Sequence, residues 1–232
     1  MKIFDSSKLF EEVTNGTFLY IDKDLDLTSF DVIRKVRKIF KVRKVGHAGT
    51  LDPKATGLMI LATGSKTKEI SKYMELEKEY IGTLQLGAET LSGDTETEII
   101  KTSEINNITE KNIQDTSKLF IGEIEQIPPM HSAIKHGGTP LYKFARMGKE
   151  VEREPRKVFI SKFDILNISL PFVYFNVVCS KGTYIRSLVV DFGKKLGVGA
   201  FLKELTRVRI GNITLEDSYK ISDLESITSS LK

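Results

Sequence analysis

The chain carries one cysteine in 232 residues, Cys179. A single thiol excludes an internal disulfide and argues against a cysteine-based metal site. Cys179 lies in an apolar run, where a thiol serves as a small core residue. Long apolar stretches are missing too. The opening segment MKIFDSSKLFEEV holds nothing long enough for a signal peptide. No run approaches the ~18 apolar residues that mark a membrane-spanning helix. A cytoplasmic protein without a membrane partner is the expectation. The chain also lacks a phosphate-binding P-loop, a dinucleotide fingerprint and an evident metal-ligand cluster, so neither a cofactor nor a metal is expected. No internal repeat, low-complexity tract or coiled-coil pattern is visible, which makes a monomer the default.

What is present fits an ordinary globular protein. Hydrophobic residues make up 40% of the chain and charged residues 28%, enough for a real core. The net charge is +4 and the pI about 8.9, which permits an anionic partner without demanding one.

Thr17–Ile21 reads as a strand. Thr28 with Asp31 three residues on fits a loose capping box, and Phe30, Ile33, Val36 and Phe40 behind it keep helical spacing. The other face holds Arg34, Lys35, Arg37, Lys38 and Lys41, continued by Arg43 and Lys44. A solvated charged face and a phosphate-contacting stripe account for these residues equally well. Leu58–Ala62 suits a buried strand, Ser65–Met74 a helix and Tyr80–Leu86 an alternating strand. Residues 87–101 read as a polar loop, Thr109–Phe120 as a helix, residues 122–138 as extended and looped, and Leu141–Met147 as a short helix. Arg156–Ser169 and Val173–Ser180 favour strands. Thr183–Leu196 returns to helical spacing, Ala200–Leu205 suits another short helix, and the last ~20 residues are weakly patterned. Strands and helices mixed without βαβ regularity predict an α+β fold whose sheet is largely antiparallel and flanked by helices.

The most informative segment is Gly46-His47-Ala48-Gly49-Thr50-Leu51-Asp52, followed by Pro53 and by Thr56-Gly57. Its glycines let the backbone turn. Pro53 biases Asp52 away from helical geometry, so the carboxylate sits at a bend, open to a ligand. Taken alone, Asp-Pro is also an ordinary turn starter. A second segment, Ser180–Leu188 (SKGTYIRSL), reads as a strand end, a glycine turn and a helix start. That places Tyr184 and Arg186 near a helix N-terminus, where anions are favoured. A core tyrosine and a surface arginine would give the same letters.

Read whole, GHAGTLDPKATG from Gly46 to Gly57 resembles the catalytic-loop signature of the TruB family of tRNA pseudouridine synthases. Other segments resemble the family in the right order: EKEY at Glu77–Tyr80, PPMHSAIK at Pro128–Lys135, Leu141-Tyr142 with Ala145-Arg146 and Gly148, and SKGTYIRSL. The resemblance runs from about Leu19 to Gly211. It implies that Asp52 is the essential residue and that Arg186 pairs with it, keeping it ionised and aimed. Tyr80 would stack on the target base, Tyr184 would line its pocket and Leu205 would close it. His47, which from the residues alone could be a general base, becomes a wedge in the RNA loop. An insertion at about 122–155 would grip the RNA arm, with Lys135 in its PPMHSAIK segment and Lys135, Lys143, Arg146, Lys149, Arg153, Arg156 and Lys157 giving it a phosphate-binding character.

Some positions depart from the pattern. The family's DKPxGxTS reads Asp22-Lys23-Asp24-Leu25-Asp26-Leu27-Thr28-Ser29 here, which predicts an altered turn. The paired arginines after the pocket leucine become Thr206-Arg207, removing one possible RNA contact. The LGxxTDTxD segment keeps its last aspartate as Asp94. The implied organisation is a catalytic domain over residues 1–212 and a short tail at 213–232, without a full PUA RNA-binding domain. The implied reaction isomerises uridine to pseudouridine at position 55 in the T-arm loop of tRNA by base flipping. Sequence leaves open whether Asp52 attacks the sugar or removes a proton. It also leaves open an RNA-binding or tRNA-folding protein without catalysis, and a synthase with another RNA target.

Overall fold

The computed structural model describes residues 6–229. They form two compact units: one contains the chain up to Tyr80 and from Thr206 onward, the other Ile81–Leu205.

The first unit opens with helix α1 (Ser6–Asn15), strand β1 (Phe18–Lys23), helix α2 (Ser29–Phe40), β2 (Val45–His47) and β3 (Ala55–Thr63). α2 starts where the sequence places it. The Thr28 hydroxyl accepts from the Asp31 amide at 3.0 Å, and the Asp31 carboxylate accepts from the Thr28 amide at 2.9 Å, a reciprocal cap. β1 and β3 run antiparallel with Phe18 opposite Ala62 and Lys23 opposite Gly57. β2 continues this pairing with His47 opposite Leu61. Leu58, Met59, Ile60 and Leu61 are all essentially inaccessible, as a strand covered on both faces requires.

The expected apolar face of α2 needs a correction. Val32, Ile33, Val36 and Phe40 are buried with Ser29, but Phe30 is 60% exposed. At about 100° per residue, Ser29, Val32, Ile33, Val36 and Phe40 share one stripe, and Phe30 lies roughly a quarter-turn from its centre. Its three-residue spacing from Ile33 made it look like a core position.

The helix expected at Ser65–Met74 is a 3-10 helix over Gly64–Glu69 followed by the short α3 (Ser71–Met74). β4 (Lys78–Leu86) then leads into the second unit. There the polar stretch expected to be a loop forms a two-stranded sheet, β5 (Ala88–Thr90) with β6 (Ile99–Thr102). α4 (Glu110–Lys118) is capped by Thr109. β7 (Gly122–Gln126), the small hairpin β8 (Lys135–His136) and β9 (Thr139–Pro140), and α5 (Leu141–Arg146) make up the insertion. β10 (Arg156–Ser169) pairs antiparallel with both β7 and β11 (Phe172–Cys179). α6 (Ile185–Leu196) packs with α4, and Phe120, Phe163, Phe175 and Phe192 form a connected aromatic core with ring centroids 5.6–6.3 Å apart.

β12 (Ala200–Ile210) corrects a further expectation: Ala200–Leu205 is strand, not helix. Its letters favour a helix in isolation, but sheet neighbours override that preference, and Gly197 and Gly199 at φ of 79° and 72° end α6 just before it. After β12 come β13 (Ile213–Thr214), a 3-10 turn, β14 (Tyr219–Lys220) and α7 (Ile221–Ser229). The segment expected as a weakly patterned tail therefore carries ordered elements. β14 pairs in parallel with β1, and α7 buries Ile221 and Leu224 and packs on α2. The architecture is the expected mixed sheet flanked by helices. No helix among the described residues is long and apolar enough to cross a membrane.

Candidate active site

The first unit holds Asp52 on a turn tied down from several directions. Asp52, Pro53, Lys54 and Ala55 form a tight turn closed by the Ala55 amide donating to the Asp52 carbonyl at 3.1 Å, with proline where its fixed φ suits. The hydroxyl of buried Ser29 donates to the Leu51 carbonyl at 3.0 Å and accepts from the Leu51 amide at 2.8 Å. The N-terminus of α2 is thereby pinned to the residue before Asp52. The Asp26 amide donates to the Pro53 carbonyl at 2.9 Å, tying the turn after β1 to the residue that follows Asp52. Asp52 itself is half-buried.

Two cations finish this brace, and neither was singled out from the sequence. Lys23 is fully buried, and its ammonium donates to the carbonyls of Leu27 at 2.7 Å, Asp24 at 3.0 Å and Pro53 at 3.4 Å. Burial pushes its pKa down to about 8, against the opposing pull of Asp52, Asp24 and Asp26, because a charged amine is costly away from water. Arg207 is 1% exposed. Its guanidinium donates to the Leu58 carbonyl at 2.7 Å and to those of Thr50 and Gly49 at 3.4 Å. Arg207 is thus an internal brace of the Asp52 loop. Gly57 makes this possible. Its φ is +103°, and a Cβ there would lie 2.4 Å from the Arg207 carbonyl oxygen. The sequence showed Gly57 as a turn residue; its partner 150 residues away was not visible.

The turn with the unusual aspartates also has an explanation. Asp26, standing where the signature has glycine, adopts φ 62°, a conformation aspartate tolerates better than most residues. Lys54 pairs with Asp26 at 2.7 Å, and Lys220 with Asp22 at 2.7 Å and Asp24 at 3.0 Å. The substitution therefore arrives with its own counter-charges.

His47 sits on β2, and its pKa is lowered by burial and by the Arg207 charge, partly offset by a backbone contact with Gly49. It is neutral at neutral pH. Tyr80 is 8% exposed on β4, on the face opposite Glu77 and Glu79. Those two carboxylates clamp Arg209 at 2.8 and 2.7 Å, and the Gly211 amide donates to the Glu77 carbonyl at 3.0 Å. The EKEY segment is thus a strand anchor that fixes the tyrosine.

The second unit holds Arg186, Tyr184, Leu205 and Lys135. Arg186 is 3% exposed near the N-terminus of α6. Its guanidinium donates to the carbonyls of His131 at 2.8 Å and Ser92 at 3.2 Å, and lies 3.6 Å from the buried Asp94 carboxylate. Tyr184 precedes α6, and the Gln126 side chain grips its backbone from both sides: the Tyr184 amide donates to Gln126 Oε1 at 2.7 Å and the Tyr184 carbonyl accepts from Gln126 Nε2 at 3.1 Å. Gln126 was missed in the sequence because nothing separates its letter from the surrounding polar ones. Leu205 is buried on β12, and Lys135 is exposed on β8. Beside Arg186 lies a groove of about 1020 Å³ lined by Ser92, His131, Lys149, Arg153 and Lys195 among others.

The insertion's basic residues divide. Lys143, Arg146, Lys149 and Arg156 are exposed with Lys135. Arg153 instead donates to the Pro128 carbonyl at 3.1 Å and the Val151 carbonyl at 3.2 Å, and Lys157 pairs with Glu123 at 2.8 Å. Both thus have partners within the chain, while Lys157 stays exposed. No group of histidine, cysteine or acidic side chains among the described residues could hold a metal ion.

Comparison with known proteins resolves what these pieces belong to. The model of the TruB family pseudouridylate synthase N-terminal domain matches residues 37–185. This chain belongs to the TruB family. The model of the tRNA pseudouridylate synthase B C-terminal domain matches residues 186–231, a span that takes in α6, β12 and the ordered elements after it. The tRNA pseudouridine synthase B of Chlorobaculum tepidum is 50% identical over 211 residues, covering 89% of this chain and 88% of the relative. That of Flavobacterium johnsoniae is 46% identical over 93% of this chain and 97% of the relative. Among solved structures, a chain of a Cbf5-Nop10-Gar1 complex superimposes with a TM-score of 0.74 at 30% identity. The match covers 97% of this chain but spans only 58% of that one. As a pseudouridylate synthase the TruB protein is an isomerase, converting uridine to pseudouridine.

Proposed function

We propose that the protein isomerises uridine 55 in the T-arm loop of tRNA, with Asp52 as the essential residue. The observation that carries this reading is the Asp52 turn, whose loop backbone is held by Ser29, Lys23 and Arg207 while Asp52 itself is only partly buried. A group that must meet one atom of a substrate needs this kind of fixed support. The reaction detaches uracil from ribose, turns the base and rejoins it through carbon. Nothing is oxidised and no phosphate is consumed, so no cofactor or metal is required.

In this reading the target uridine leaves its stack to reach the carboxylate. Tyr80 stacks on it, and Tyr184 and Leu205 line its pocket. Arg186 orients Asp52 from a scaffold of Asp94, Ser92 and His131. His47, neutral, fills the space that the flipped nucleotides vacate. Lys135 and the exposed basic residues of the insertion hold phosphates of the arm. The protein acts as a monomer in the cytoplasm, its catalytic domain spanning residues 1–212.

The test is Asp52→Asn with unmodified tRNA, mapping pseudouridine by carbodiimide adducts and measuring binding separately. Product falls below detection while affinity stays within a few-fold. Equal loss of binding and product would contradict the division of labour.

A further inference from the structure

The turn after β1 and the first turn of α2 each leave one large apolar side chain in solvent, next in sequence to a residue that braces the Asp52 turn. Leu25 is 54% and Phe30 60% exposed. Single exposed apolar residues are common and need no explanation. These two differ in where they are fixed. Leu25 is next to Asp26, whose amide is bonded to the Pro53 carbonyl. Phe30 is next to Ser29, whose hydroxyl holds both backbone groups of Leu51. They thus adjoin in sequence the residues bonded to Leu51 and to Pro53, either side of the proposed catalytic residue, and both belong to the same compact unit as that turn.

Phe30 also heads a basic stripe. At about 100° per residue, Arg34 falls on its side of α2, and Lys41 caps the far end of the helix; both are exposed. Arg34 pairs with the Asp31 carboxylate of its own helix. An aromatic ring followed by a cation one turn on and another at the helix end matches a nucleic-acid strand, which alternates flat bases with phosphates. Two side chains are too little apolar surface to form a protein-docking core.

We infer that Phe30 and Leu25 form a stacking platform for an unpaired base of the RNA substrate beside the one being isomerised, with Arg34 and Lys41 taking adjoining phosphates. The inference rests on the reading of the protein as a tRNA pseudouridine synthase, and adds a second base contact on the α2 side of the loop.

The experiment compares wild type, Phe30→Ala, Phe30→Tyr and Arg34→Gln for single-turnover modification and binding of an unmodified tRNA transcript over a salt series. Phe30→Ala weakens binding about tenfold, with a much smaller change in the rate at saturating enzyme, and Phe30→Tyr recovers most of the loss. The salt dependence keeps its slope in Phe30→Ala, since no charge is lost, and becomes shallower by roughly one in Arg34→Gln. Wild-type affinity in Phe30→Ala, or a loss that Phe30→Tyr does not restore, would overturn the platform while leaving the proposed function intact. Absence of pseudouridine with the wild-type protein would instead refute the proposed function itself.

Discussion

A buried ammonium beside the Asp52 turn gives pH a specific handle on this protein. The Lys23 pKa in the fold is about 8, below the ~10.4 of a free lysine side chain. Between those values the unfolded chain binds more protons than the folded one, so stability from this group rises with pH through that window. Below about pH 8 the cost of the buried charge is present in full. Lys23→Met removes the titration and leaves three backbone carbonyls without their donor. Denaturant melts at pH 7 should show a loss on the order of 1–3 kcal/mol, and the difference from wild type should change with pH only above about 8. A pH-independent difference would contradict the assignment. Because the ammonium also fixes the Pro53 carbonyl, kcat should fall more than the affinity for tRNA. His47 carries a second prediction: its pKa is lowered by burial, so its imidazole signals should titrate below the ordinary ~6.5 and stay unchanged across neutral pH.

Elements show what could be read from the letters and what could not. The cap of α2 was legible because it is local: Thr28 and Asp31 are three residues apart and bond each other. Thr28→Ala should cost about 1 kcal/mol in a denaturant melt. Asp31, held below the ordinary carboxylate range by the Thr28 hydroxyl and amide and by Arg34, contributes stability at neutral pH that is lost as pH falls through its lowered value. The long hairpin β10–β11 was legible by alternation. β12 was not, because Ala, Leu, Lys and Glu favour a helix until sheet neighbours decide otherwise. The Asp52 loop was readable as a motif, and Gly57 as a turn residue. Its partner Arg207 was not, since only folding brings position 207 against position 57. Gly57→Ala tests that contact: with a Cβ driven to 2.4 Å from a backbone carbonyl, it should melt several degrees lower. A wild-type melting temperature would show that the two strands have room to move apart.

At the scale of the whole molecule, a net charge of +4 is modest for a protein that handles a polyanion. On the proposed reading, recognition depends on where the cations stand: the stripe on α2, and the exposed lysines and arginines of the insertion. Binding of tRNA should weaken steeply with added salt. Neutralising Lys143 or Lys149 should lower affinity without altering where the RNA is modified, because phosphate contacts carry no sequence information. The resemblance read from the catalytic loop already implied the pseudouridine-synthase architecture, while the internal braces Lys23, Arg207 and Gln126 emerged only in three dimensions. The central claim concerns Asp52 and its RNA target. It is tested most directly with a tRNA transcript tritiated at uracil C5, incubated with the purified protein and no cofactor. The account predicts tritium release stoichiometric with one uridine, mapped to the T-arm loop and absent with Asp52→Asn. Tight binding of that transcript by the wild-type protein without release would contradict it.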